Sequence, residues 1–412
     1  MLIFVAARTS QTNMARIGID VRCLTEGRRT GVEEYTINLL KEVLNLDTQN
    51  EYLLFFNSWK NSRADLTWLK EFPQVKLYKF KIPNKILNLC FWYFNWPKID
   101  KMLGGVDVFF MPNILFGALS RKTKLILTLH DLSFERYPET FSLKKRLWHY
   151  LLQPKKLCEQ ADKIIAVSQS TKNDLISLYK IAPEKISVVY SGLSDKFRVI
   201  DRNDKQLITT KEKYQLPYKF ILYLGTIEPR KNLISLIQAF NQFKKQAQAE
   251  NNGELEKYKL VIAGQNGWLM KDIWREIDAS LFHADILQIN FVAEEDKEYF
   301  YNLASLFVYP SFFEGFGFPP LEAMRCGVPV ITSNSSSMPE IINGGGVMID
   351  PHRPSEIATA MREILTDKTL REKLIQKGLQ QSQKFDWRKS AKRLVPYFQK
   401  NLPTICKNEL SK

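Results

Sequence analysis

Two glutamates, Glu314 and Glu322, close the ends of the run EGFGFPPLE, which sets two carboxylates around a glycine-rich turn. Pro319 and Pro320 suit the first positions of a helix, where a missing N–H costs nothing. The spacing therefore predicts a helix through LEAMRCG, with Glu322 in its first turn and Glu314 on the loop before it. Gly315 and Gly317 permit backbone angles that turn N–H groups toward a ligand at close range. Such a loop suits a polyhydroxylated, anionic ligand.

A second candidate is the basic pair Arg230 and Lys231, between the strand-like KFILYLG and a helix with apolar residues at 233, 234, 236, 237 and 240. Two cations at a helix start oppose the helix dipole unless an anion neutralises them, so the pair reads as a phosphate site in preference to a solvated basic turn. In RCLTEGRRTGVEEYTINLL, Gly27 and Gly31 flank another basic turn ahead of a helix that Glu33 and Glu34 would cap. Gly31 would let the backbone approach a phosphate or an acceptor; the alternative is a flexible loop. His130 ends the strand KLILTLH beside Asp131, a position expected to face a cleft between domains and to take a sugar-contacting or acid–base role. His149, His283 and His352 read as structural.

The elements that must position these residues are short apolar runs alternating with longer amphipathic segments, the pattern of parallel sheets with crossover helices. RIGIDV, YLLFF, VKLYKF, VDVFF, KLILTLH and KIIAVS form one series; KFILYLG, YKLVIAG, ILQINFV, LFVYP and PVITS form a second. Between them the polar stretch 188–214 reads as a linker. The expectation is an α/β chain of two Rossmann-like αβα domains facing across a cleft, residues 14–195 and 196–385, followed by a helix and tail over 386–412. Met14 is a candidate start, the residues before it an extension.

At 412 residues, 45% hydrophobic and 25% charged, the chain has the composition of a folded protein of two domains. Its 59 Lys+Arg against 44 Asp+Glu, a net +15, favours anionic partners without selecting one. Five widely spaced cysteines, without a CxxC pair, read as reduced thiols of a cytoplasmic protein. GxGxxG is missing after every strand-like run, which argues against a nicotinamide enzyme, and no DxD pair is present, so no metal or other cofactor is expected. Residues 86–102, dense in aromatics and flanked by lysines, read either as a buried helix or as a segment lying in a membrane interface.

Taken together, GTIEPRKN (225–232), YPSFFEGFGFPPLEAMRCGVPVITS (309–333), SMPEI (337–341) and LHDLSFERYPETF (129–141) resemble the family 4 retaining glycosyltransferases of the GT-B fold, over nearly the whole chain from about Met14. RRTGVEEYTINLL and HDLSFERYPETF further resemble bacterial mannosyltransferases of polysaccharide or O-antigen assembly. The resemblance implies that Arg230 and Lys231 bind the donor diphosphate and Glu322 the ribose. It implies that Glu314 contacts the transferred sugar together with the backbone N–H groups of Gly315, Phe316, Gly317 and Phe318. Gly31 would lie against the phosphates and His130 near the 6-hydroxyl. Many members carry Arg where this chain has Thr226, which leaves Arg230 to supply that charge.

The implied reaction is metal-independent transfer of a hexose, mannose from GDP-mannose or else a UDP-linked hexose, to a glycan or lipid-linked glycan. It would take place in the cytoplasm, with peripheral contact to anionic membrane at the inner face of the cell membrane and no nucleic-acid partner. Whether Glu314 is a nucleophile or only orients the sugar stays open. A nucleotide-sugar epimerase or phosphorylase on the same architecture, and an anionic-polymer or membrane-surface binder, are the competing readings.

Overall fold

A computed structural model of the chain describes residues 14–25, 27, 30–59, 62 and 64–399. The residues before Met14, the basic pair Arg28 and Arg29, and Cys406 lie outside these. The described residues form two compact units, one of residues 14–128, 156–164 and 391–399, the other of residues 129–155 and 165–390.

Seven strands make the first sheet: β1 (Arg16–Asp20), β2 (Glu51–Asn57), β3 (Val75–Phe80), β4 (Val108–Met111), β5 (Lys124–Leu129), β6 (Lys163–Ala166) and β7 (Ile186–Val188). Their order is β3-β2-β1-β4-β5-β6-β7. The registered pairs around β1, β2, β4 and β5 are parallel. β2 and β4 are apolar almost throughout and buried on both faces, as a strand covered by crossover helices must be. The helix Gly31–Leu46 follows β1. Thr30 and Glu33 close a capping box at its start, so the expected acidic cap is present.

β8 (Phe220–Leu224), β9 (Lys259–Ala263), β10 (Ile286–Ile289), β11 (Leu306–Tyr309), β12 (Val330–Ser333) and β13 (Val347–Ile349) form the second sheet, ordered β10-β9-β8-β11-β12-β13 and parallel throughout. Leu233, Leu236, Ile237, Phe240 and Phe243 recur at helical spacing and bury one face of the helix Leu233–Ala249. Because β8 lies between β9 and β11, the winding reverses at the β8/β11 pair. Open sheets of this kind take their ligand where the loops after two such strands diverge.

Three expectations change. Residues 205–213, inside the stretch read as linker, form a helix that Asp204 caps by accepting from Gln206 N at 2.7 Å. The edge strands β7 and β13 were not expected. Residues 86–102 are not a buried helix: the helix Asn84–Leu89 and the turn Cys90–Phe94 bury Leu87 and Phe91 and expose most of their other large apolar side chains. The C-terminal helix is present as Trp387–Leu394, and residues 391–399 belong to the first unit, where Phe398 packs on Tyr52 and Phe110.

Candidate active site

The loops leaving β8 and β11 carry the charged centre of the second unit. After β8 the chain makes a turn, Pro229–Lys231, and Asn232 takes a left-handed conformation (φ 58°) that starts the following helix. Asn232 Nδ2 donates to the carbonyls of Pro310 (3.1 Å) and Pro351 (2.6 Å), and Phe312 N donates to Arg230 O at 2.9 Å. These bonds pin the two loops together.

Lys231 Nζ donates to Glu314 Oε1 at 2.5 Å and to the Tyr309 hydroxyl at 2.7 Å. Arg230 Nη1 lies 3.4 Å from Glu314 Oε2 and donates to Phe313 O at 2.5 Å; its Nη2 donates to Glu228 Oε1 at 2.8 Å. Lys231, Glu228 and Glu314 are all buried. Two cations and two carboxylates thus balance inside the protein, where unpaired charge is expensive. The anion that the basic pair requires is supplied in this structure by the chain itself.

Burial works against ionisation of Glu314, yet Lys231 and then Arg230 overcome it and hold the carboxyl at about 2. Burial opposes the Arg230 charge too, and Glu314 and Glu228 raise its pKa well above the ordinary value. For Lys231, burial and the adjacent Arg230 draw the pKa below the usual lysine value, so this ammonium owes its proton to the carboxylates beside it. Arg230 Nε is buried without a hydrogen-bond partner among the described residues. It keeps one donor in reserve.

Glu314 N donates to Ser336 Oγ at 2.8 Å, and Ser337 Oγ donates to the carbonyls of Glu314 and Phe316, each at 3.0 Å. A methyl group on Gly315 would lie 2.0 Å from the His130 carbonyl oxygen, so glycine here serves close packing of the loop on the His130 backbone. Gly317 adopts φ 103° ahead of the helix Phe318–Arg325, a conformation that favours glycine. That helix starts one residue earlier than expected, with both prolines in its first turn. Glu322 is therefore its fifth residue, beyond the first turn, buried and accepting from the Tyr301 hydroxyl at 2.7 Å.

His130 follows β5, and its carbonyl accepts from Thr171 Oγ1 at 3.2 Å. Asp131 Oδ1 accepts from Ser133 N (2.9 Å) and Ser133 Oγ (2.6 Å). The structure thus brings Arg230, Lys231, Glu314, Gly315 and the His130 backbone to one place within the second unit. Gly31 begins a helix of the first. His149 and His352 stack on Phe134 and Phe312, as structural histidines do.

Sequence reasoning passed over Glu228, Tyr309, Tyr301, Ser336 and Ser337. Glu228 carried the one available signal, a carboxylate two positions before Arg230; the others depend on which strands become neighbours.

The family model for glycosyltransferase family 4 matches residues 29–197, and the model for glycosyl transferases group 1 matches residues 204–381. The O-antigen chain mannosyltransferase B of Escherichia coli is 32% identical over 268 residues, covering 65% of this chain and 68% of that protein. The chain is a family 4 glycosyltransferase. As such it is also 37% identical over 235 residues to the serotype-specific mannosyltransferase WbdA of Escherichia coli, covering 57% of this chain but only 28% of WbdA. The glycosyltransferase has the GT-B fold: a sucrose-phosphate synthase from Thermosynechococcus elongatus superposes with a TM-score of 0.71 over 93% of this chain and 98% of that one, at 18% identity. Its charged cluster lies in the half matched by the group 1 model.

Proposed function

We propose that the enzyme transfers mannose from GDP-mannose to a growing polysaccharide or O-antigen glycan, carried on a lipid, with retention at the anomeric carbon and without a metal. One observation carries the reading: the buried cluster of Arg230, Lys231, Glu314 and Glu228 at the β8/β11 reversal. The mannosyltransferases among its relatives support the sugar and the acceptor class.

In this reading the donor diphosphate engages Arg230, whose Nε has a donor to give, and Lys231. Glu322 takes the ribose, Gly31 lies against the phosphates and His130 near the sugar's 6-hydroxyl. Glu314 orients the sugar with the N–H groups of Gly315, Phe316, Gly317 and Phe318. The bond from the anomeric carbon to the diphosphate oxygen breaks as the acceptor oxygen bonds to that carbon. Negative charge grows on the leaving diphosphate, where the two cations stabilise it, and its oxygen takes the acceptor's proton. A Glu314 carboxyl held at about 2 is too weak a base to take that proton near neutral pH.

A thermal-shift panel of GDP, UDP, GDP-mannose and UDP-hexoses tests the donor. The reading expects stabilisation by GDP and GDP-mannose and none by UDP; a shift with UDP alone redirects it to a UDP-hexose. Retention is checked by the anomeric coupling constant of the product.

A further inference from the structure

The first unit carries an apolar surface that no part of the donor chemistry uses. Ile86, Leu89, Trp92, Tyr93, Phe94 and Trp96 are between 46 and 70% exposed, while Leu87 and Phe91 turn inward. Ile86 and Leu89 stand three apart on Asn84–Leu89, Trp92, Tyr93 and Phe94 follow on the turn Cys90–Phe94, and Trp96 lies just beyond it. The Tyr93 ring is 6.2 Å from that of Trp92 and 4.9 Å from that of Phe94, so the exposed side chains run as a stripe along one short segment. Six large exposed apolar groups clustered on one short segment are unlike the scattered singles of an ordinary surface.

We propose that this stripe is a docking surface for an anionic lipid bilayer. The first reason is side-chain chemistry: Trp and Tyr carry an apolar body and a polar edge, which suits the layer between headgroups and acyl chains. The second is charge. Residues 75–105 contain six lysines and one carboxylate, Asp100, and that carboxylate is buried and accepts from Ser120 N at 2.8 Å. Lys76 is taken by Glu51, but Lys79, Lys81, Lys85 and Lys101 are exposed. A lysine fringe around an aromatic stripe matches anionic headgroups over an apolar interior.

The same fringe argues against a second copy of the chain as occupant. A two-fold contact through the stripe would set one copy's lysines against the other's. No described helix is long and apolar enough to cross a membrane, so the contact is interfacial. The inference stands apart from the choice of donor.

The test is co-sedimentation of the full chain with phosphatidylcholine vesicles, with or without a third of phosphatidylglycerol. Binding is expected to be about tenfold or more tighter to the anionic vesicles and to weaken as salt rises from about 0.1 M to about 0.5 M. Trp92→Ser/Tyr93→Ser/Trp96→Ser should lose about tenfold in binding, and Lys79→Gln/Lys81→Gln/Lys85→Gln about fivefold per lysine, both with GDP binding unchanged. Should the aromatic variant fail to fold, the exposed-lysine variant decides, with a blue shift of wild-type tryptophan emission on anionic vesicles as the second expected result. Equal binding to both vesicle types, no binding to either, unaffected variants, or a dimer strengthened by removing the lysines would overturn the proposal.

Discussion

The Lys231 ammonium and the Glu314 carboxylate lie 2.5 Å apart across 83 residues of chain, joined because the loops after β8 and β11 leave neighbouring strands. A buried pair of this kind constrains what its variants can report.

Glu314→Ala would leave Lys231 and Arg230 without their common counter-charge. Breaking a buried ion pair from one side costs about 3–5 kcal/mol, so the single variant should lose both transfer and thermal stability. Glu314→Gln/Lys231→Met should recover part of the stability while remaining inactive. A double-mutant cycle of Glu314→Gln and Lys231→Met on urea midpoints checks this; additive losses would separate the two residues.

Acid should weaken the fold through Glu314. Its folded pKa of about 2 lies below the ordinary 4.5, so its contribution is present above about 4.5 and is lost as pH falls from there toward 2. The depression corresponds to roughly 3 kcal/mol. Stability of Glu314→Gln measured from pH 6 to pH 3 should fall less steeply than that of the wild type.

Gly315→Ala would push a methyl group to within 2.0 Å of the His130 carbonyl oxygen and 2.8 Å of Asp131 Cβ. Overpacking of this size costs about 1–3 kcal/mol, and the loop holding Glu314 must shift. Transfer should fall by about 100-fold, as misplacement near 1 Å can do, with a lowered melting temperature as the companion readout.

Tyr301→Phe removes the hydroxyl that donates to Glu322 at 2.7 Å. Losing a buried hydrogen bond to a charged group costs about 1–3 kcal/mol. If Glu322 holds the ribose, the donor KM should rise more than kcat falls, and a 2′,3′-dideoxyribose donor should show no further penalty from the substitution. A pure loss of stability with unchanged KM would make Glu322 structural.

The parts legible in the sequence were the local ones. Pro319, Pro320 and the two glycines announced a loop entering a helix, and PRK announced a basic turn before another. That Lys231 and Arg230 would both reach Glu314 depends on β8 lying next to β11, a long-range order no local pattern carries, whereas Glu228 stands two positions before Arg230 and lay within local reach. The helix at 205–213 escaped notice because KQLITTKEK is polar almost all round and buries only Leu207 and Thr210. β7 and β13 are three-residue edge strands, too short to show an alternation. Glu322 fell one residue out of place, just past the first turn, because Phe318, following the left-handed Gly317, begins the helix ahead of the prolines.

The central claim is that the Arg230–Lys231–Glu314 cluster receives a guanosine diphosphate donor. Calorimetric titration of GDP and UDP into the wild type and into Arg230→Lys, which keeps the charge but loses the planar fork, tests it most directly. The account predicts that GDP binds the wild type in preference to UDP and binds Arg230→Lys about tenfold or more weakly. Undiminished GDP binding to Arg230→Lys, or preference of the wild type for UDP, would contradict it.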